Sequence, residues 1–192
     1  MLPLIYIENF ISKMERKVED SRNEKRILFP LGIKIESILG LIKALNEVFN
    51  KHADIFALAN HFDLEAGELL HLLEVIEMLG FATIHGGDVI LTPQGERFMK
   101  VSTSMKKQIL REKIKEYEPF KAMISLLKEA EEVKAEDIAK ELEKLGYSEV
   151  NEYGFIERLT QTILEWGVFS ELVVYSSEDQ SFKLNKKYFK IK

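Results

Sequence analysis

Four histidines and a scatter of carboxylates are the residues with which this 192-residue chain could do chemistry, and their spacing offers little. Glu68 and His71 stand three apart, so on a helix both would project from one side, as two metal ligands could. The other histidines, His52, His61 and His85, supply no second pair at ligand spacing. Cysteine is absent, which removes zinc thiolates, disulfides and thiol nucleophiles together. No GxxxxGK[ST] phosphate loop, GxSxG elbow or GxGxxG turn occurs. The chain is therefore expected to be no enzyme and to need no cofactor or metal. A metal sensor at Glu68 and His71 is a further reading, which elemental analysis of the purified protein would test.

Binding is better served. The stretch LGFATIHGGDVILTPQGERF, residues 79–98, reads as two short apolar runs around a Gly-Gly connection, then a helix start. In a winged helix, such a hairpin and the helix before it would meet DNA, using Arg, Lys, Asn or Gln for bases and cations for phosphates. Residues 52–96 instead hold Asp54, Asp63, Glu65, Glu68, Glu74, Glu77, Asp88 and Glu96 and not one Lys or Arg. The helix predicted over 65–79 buries Leu69, Leu72, Leu73 and Ile76 and turns Gly67, Leu70, His71, Glu74 and Met78 outward. The corresponding outward residues of the second half are Glu157, Thr160, Gln161 and Leu164. Such faces repel phosphate, so DNA is a disfavoured partner, and Leu70 and Met78 point to a protein contact at Leu70, His71, Glu74 and Met78.

A second candidate surface is basic. Over 97–118 there are seven basic and three acidic side chains, and at about 100° per residue Arg97, Lys100, Lys107, Arg111 and Lys115 fall on one helix face. Lys100, Lys107, Arg111 and Lys115 would dock on an acidic partner, or on the acidic first unit of a second copy in a homodimer. The competing reading is a transcriptional regulator that binds DNA as a dimer, with Lys100, Lys107, Arg111 and the lysines of the tail FKLNKKYFKIK on phosphates.

The elements that must position these residues follow from periodicity. Ile7, Phe10, Ile11, Met14 and Val18 predict a helix over 4–19, and EDSRNEKR at 19–26 a polar loop. Ile35, Ile38, Leu39, Ile42, Leu45, Val48 and Phe49 predict a second helix to about residue 50. Asp54 caps a short helix, the helix over 65–79 ends at Gly80, and Thr92 caps a helix whose first residue is Pro93. That helix is expected to run unbroken over 93–118 and to change its apolar face from Phe98, Val101, Met105 and Ile109 to Leu110, Ile114 and Tyr117, joining two cores. Helices over 119–132, 134–146 and 152–166 and a hairpin of 172–175 with 181–184 repeat the plan. The expected fold is α+β, mainly helical with small hairpins: an N-terminal helix and loop over 1–30, a winged-helix unit with its connecting helix over 31–118, and a second such unit with a basic tail over 119–192.

The bulk numbers agree with a folded, water-exposed chain of this kind, at 46% hydrophobic and 31% charged residues with a net charge of −5. MLPLIYIENF lacks the marks of a signal peptide, and no run approaches the roughly 18 apolar residues of a membrane span. A cytoplasmic location without membrane insertion is expected.

Two blocks carry a resemblance. ADIFALANHFDLEAGELLHLLEVIEMLGFATIHGGDVILTPQGERF and the later LTQTILEWGVFSELVVYSSEDQSFKL resemble the AAA-associated C-terminal domain, a family appended to ATP-binding subunits of nitrate-, sulfonate- and taurine-type ABC transporters. The likeness spans about 31–184 and is carried by Asp54, Leu58, Ala59, Leu79-Gly80-Phe81, Asp88, Leu91-Thr92-Pro93-x-Gly95, Trp166-Gly167, Glu171-Leu172 and Tyr175. It implies an accessory or regulatory module beside a transporter ATPase, with no catalytic residues of its own. The present sequence shows no ATPase portion, so the expectation is either a separate subunit that meets an ATPase or a relative with a different partner.

Overall fold

The computed structural model describes residues 27–188, so the helix expected over 4–19, the loop at 19–26 and the last four residues lie outside the described part. Two compact units divide between Val101 and Ser102.

The first unit begins with α1 (Ile35–Glu47), whose Ile35, Ile38, Leu41, Ile42 and Leu45 form a buried stripe at helical spacing. Asn50 and Lys51, both at positive φ, turn the chain sharply into β1 (His52–Asp54). Asp54 then caps α2 (Ile55–Phe62), its carboxylate accepting from the amides of Phe56 and Ala57 at 2.8 and 3.2 Å. α3 (Ala66–Met78) starts where the Glu68 side chain accepts from the Glu65 amide at 3.3 Å. It buries Leu69, Leu73, Val75 and Ile76, and ends at Gly80, whose φ of 70° suits glycine.

β2 (Ala82–His85) and β3 (Asp88–Leu91) form the expected hairpin, and β1 pairs with β3 to give the order β1-β3-β2, with Ile90 opposite His52 on one side and Thr83 on the other. α4 (Pro93–Lys100) follows with Thr92 as its cap. The Thr92 hydroxyl donates to the Gly80 carbonyl at 2.7 Å and accepts from the Gly95 amide at 3.1 Å, so one side chain joins the end of α3 to the start of α4. Gly95 is needed for a different reason: a β-carbon there would run into the Phe81 carbonyl and approach the Leu91 side chain to 2.7 Å. Phe81 and Phe98 stack beside this junction, ring centroids 4.4 Å apart.

The unbroken helix expected over 93–118 is corrected here. α4 stops at Lys100; Val101 and Ser102 are extended, and Ser102 caps α5 (Thr103–Ile114), its hydroxyl accepting from the Met105 amide at 3.3 Å. Val-Ser-Thr-Ser is a run of β-branched and hydroxyl residues that serves better as a cap than as a helix interior. The expected change of apolar face, from Ile109 to Leu110, falls inside α5, which buries Leu110 and Ile114 and leaves Met105 45% exposed. The division at 101/102 also assigns α5 to the second unit, whereas the sequence reading kept it with the first.

In the second unit α6 (Phe120–Glu129), α7 (Ala135–Lys144) and α8 (Phe155–Thr162) precede β4 (Val173–Ser176) and β5 (Ser181–Leu184). Val133 exchanges both backbone hydrogen bonds with Phe182, at 3.0 and 2.8 Å, flanking β5 just before α7 as β1 flanks β3 just before α2. The element order of the first unit therefore recurs. α8 continues as a π-helical turn over Ile163–Val168 that places Trp166 and Gly167 in the core. A β-carbon on Gly167 would lie 3.1 Å from Val173 and 3.3 Å from Ile163.

Candidate interaction surfaces

On α3 the outward positions split. Gly67 and His71 are exposed, whereas Leu70, Glu74 and Met78 are half-buried. The Glu68 carboxylate is engaged at the start of its own helix, accepting from the amide of the N-cap residue Glu65, and among the described residues no three His, Cys, Asp or Glu side chains are placed to hold a metal ion. The edge of this surface is tied to the sheet, because the Glu77 carboxylate accepts from the Ile84 amide at 3.0 Å on β2. Burial raises the pKa of Glu77 above the ordinary carboxylate value, the Ile84 hydrogen bond opposes the rise, and the Glu74 charge adds to it.

The hairpin connection offers no free cation. His85 is exposed, and Asp88 faces His52, Nε2 to Oδ1, at 3.2 Å on the outer side of the sheet. Lys51, just outside the cation-free stretch, pairs with Glu96 at 2.9 Å, and that hydrogen bond is the main reason the Glu96 carboxyl titrates below its usual range. Asp54, Glu68, Glu77, Asp88 and Glu96 are thus among the carboxylates of 52–96 bonded within the unit.

The basic stripe is also corrected. Arg97 and Lys100 are exposed on α4 in the first unit, while Lys107, Arg111 and Lys115 belong to α5 in the second. Arg111 is only 6% exposed; its guanidinium donates to the Ser170 carbonyl at 2.8 Å and stacks on the Tyr188 ring with its central carbon 3.6 Å from the centroid. Lys107 is bonded to Glu171 at 3.0 Å, and Lys115 to Glu112 at 2.6 Å. A helical wheel shows which residues share a face but not that the C-terminal segment returns to cover it. The aromatic and aliphatic residues interleaved with the tail lysines, Tyr188 among them, suggest in the sequence an end packed on the body, and Tyr188 does pack there, over Arg111.

The tail itself divides. Phe182 and Leu184 are buried in β5, and Lys183 pairs with Glu132 at 2.8 Å. Lys186 and Lys187 are exposed, and Lys190 and Lys192 lie outside the described residues. On α8, Glu157 and Gln161 face solvent, and Leu164, in the π-helical turn that follows, is 36% exposed; Arg158 is held by Glu152 at 2.7 Å. A cleft of about 500 Å³ opens beside the first turn of α7, lined by Lys134, Lys140, Thr160, Tyr175, Gln180 and Phe182 among others.

These features define an α+β chain of two compact units with small antiparallel sheets, in which no described helix is long and apolar enough to cross a membrane. The chain belongs to the family of C-terminal AAA-associated domains, whose family model matches residues 56–176. The matched span contains Gly95, where a β-carbon would collide with the Phe81 carbonyl, and Gly167, where one would sit in tight contact with Val173 and Ile163, so the Thr-Pro-x-Gly and Trp-Gly signatures have a packing reason. No curated protein and no solved structure gives a significant match to the chain.

Proposed function

We propose that this chain is a non-enzymatic protein-interaction and regulatory module, built of two winged-helix units, that serves an ABC-type transporter ATPase as an accessory on the cytoplasmic side. Membership of the AAA-associated family supports an accessory role, and the transporter assignment rests on the resemblance of the two sequence blocks. The observation that carries the choice of protein over DNA is the lack of any Lys or Arg in residues 52–96, the segment forming α2, α3 and the hairpin. A phosphate backbone needs cations at these elements, and binding without them loses its electrostatic driving force. The contact proposed is the outward side of α3 around Leu70, His71, Glu74 and Met78, with Lys100 and Lys115 as peripheral charges.

Affinity capture of the tagged chain from its native cytosol, at low and high salt with mass spectrometry of what stays bound, tests this reading. Recovery of an ABC-type ATPase is the expected result. Capture of nucleic acid instead, or of no ATPase or transporter component, would discard it. Recovery of untagged copies of the same chain would identify a homodimer as the occupant of the α3 face.

A further inference from the structure

Two lysines converge on one carboxylate in the second unit, and a buried arginine stands beside them. Lys107 and Arg111 stand four apart on α5, and Glu171 meets Lys107 from the turn before β4, in left-handed backbone at φ 61°. Glu171 accepts from Lys107 at 3.0 Å on one oxygen and from the Tyr188 hydroxyl at 2.5 Å on the other, and Lys187 lies 3.9 Å from the oxygen that Tyr188 bonds. Tyr188, Lys107 and Lys187 together hold this carboxyl below its usual range, the tyrosine hydrogen bond first. Arg111 lies beneath Tyr188, nine-tenths buried, and among the described residues no carboxylate stands within ion-pair distance of it. A guanidinium carries five donors in a fork that matches a carboxylate, so a carbonyl and an aromatic face leave that capacity largely unused.

The cover over this cluster is residues 185–188. It is a single turn, closed by the Tyr188 amide on the Asn185 carbonyl at 3.0 Å and the Lys187 amide on the Asn185 side chain at 3.2 Å, and joined to the body where the Asn185 amide meets the Leu172 carbonyl at 3.2 Å. Tyr188 is 37% exposed and fills no core position. Its attachments, one ring face on a guanidinium and one hydroxyl on a carboxylate, are of the kind a ligand can replace.

We infer that residues 185–188 are a displaceable cover over a cationic docking site for an acidic peptide segment, with Glu171 occupying the site in place of a partner's carboxylate. The inference rests on reading the chain as a protein-interaction module. A carboxylate is the favoured occupant because a carboxylate already fills the site in its closed form, held by a lysine and a tyrosine hydroxyl. A nucleic acid polyanion is disfavoured because the protein carries a net charge of −5 and its residues 52–96 hold no Lys or Arg. With the cover down, the apparent affinity is the intrinsic affinity reduced by the fraction of molecules that are open.

The test uses the full chain and a fluorescein-labelled oligoglutamate peptide, read by anisotropy at low salt. Tyr188→Ala is expected to tighten binding about tenfold by removing the closed population, and adding Lys107→Gln to return it to the wild-type level. Tryptophan emission from Trp166, buried in the same unit, reports whether the variant is folded. If Tyr188→Ala loosens the unit, Tyr188→Phe keeps the ring on Arg111 while dropping the Glu171 bond, and a gain of about threefold is expected. A folded variant with unchanged affinity, a gain that survives Lys107→Gln, or a gain for duplex DNA and none for the peptide would overturn the inference. Failure here leaves the α3 contact and the capture experiment standing; success here with no ATPase captured would remove the transporter partner and keep the site.

Discussion

Replacing Gly95 by alanine tests the junction on which the first unit depends. In an exposed helix the change would stabilise by about 1 kcal/mol, because alanine loses less backbone entropy than glycine. At Gly95 the new methyl meets the Phe81 carbonyl, which is fixed by the Thr92 amide at 2.9 Å and the Thr92 hydroxyl at 3.1 Å and so cannot swing away as a side chain would. Overpacking against fixed atoms costs about 3 kcal/mol, which leaves a net loss of about 2 kcal/mol once the propensity gain is subtracted. Gly40 is the internal control, because it lies within α1 and a β-carbon there meets nothing within 4 Å. Gly40→Ala should therefore stabilise by about 1 kcal/mol. The readout is amide hydrogen exchange across residues 35–100 during urea unfolding, since the only tryptophan is in the other unit. The two variants should move the urea midpoint in opposite directions, Gly95→Ala downward by about 1 M or more. Equal or same-signed shifts would show that close approach to Phe81 is not what demands glycine.

Further outcomes follow from the same contacts. Gly167→Ala should destabilise the second unit by about 1 kcal/mol, because its neighbours are flexible side chains rather than a carbonyl, and should lower the midpoint read by Trp166 emission. Thr92→Val removes the helix cap and the bond to the Gly80 carbonyl together and should cost about 2 kcal/mol, whereas Thr92→Ser should keep most of it. Glu77 has a folded-state pKa above its unfolded value, so its neutral form favours folding in acid and that contribution is lost as pH rises through the folded pKa. Glu77→Gln should accordingly raise the urea midpoint at neutral pH, with the difference shrinking in acid; a difference that grows in acid would reverse the assignment. Duplex DNA should show no retardation at about 0.15 M salt, and a steep salt dependence there would restore the DNA-binding reading.

Much of the fold was legible because its signals are local. Asp54, Thr92-Pro93, Gly80 and Gly146 mark helix ends by chemistry acting within a few residues, and the stripe of α1 follows from period alone. β1 was not legible: three residues, His-Ala-Asp, have no period, and only their pairing with β3 makes them a strand. The break at Ser102 was written in its hydroxyl run but lost to the helical spacing on either side. For the surfaces, charge counts predicted the cation-free segment correctly, since composition needs no coordinates. The basic stripe failed because burial of Arg111 comes from Ser170 and Tyr188, 59 and 77 positions along the chain, a separation no local pattern reports.

That failure changes where specificity must reside. The element order of the first unit recurs in the second, and in each a glycine allows a close approach to a neighbouring strand residue, Gly95 in the first and Gly167 in the second. Positions that serve this scaffold cannot also discriminate partners without loss of stability, so recognition falls to residues the scaffold leaves free. In the first unit those lie on α3 among carboxylates with no lysine or arginine near them in sequence. In the second, the strongest cation is stacked beneath a tyrosine that fills no core position. A partner with an acidic segment can therefore be recognised only after Tyr188 moves, and the balance between Glu171 and that segment would set when it does.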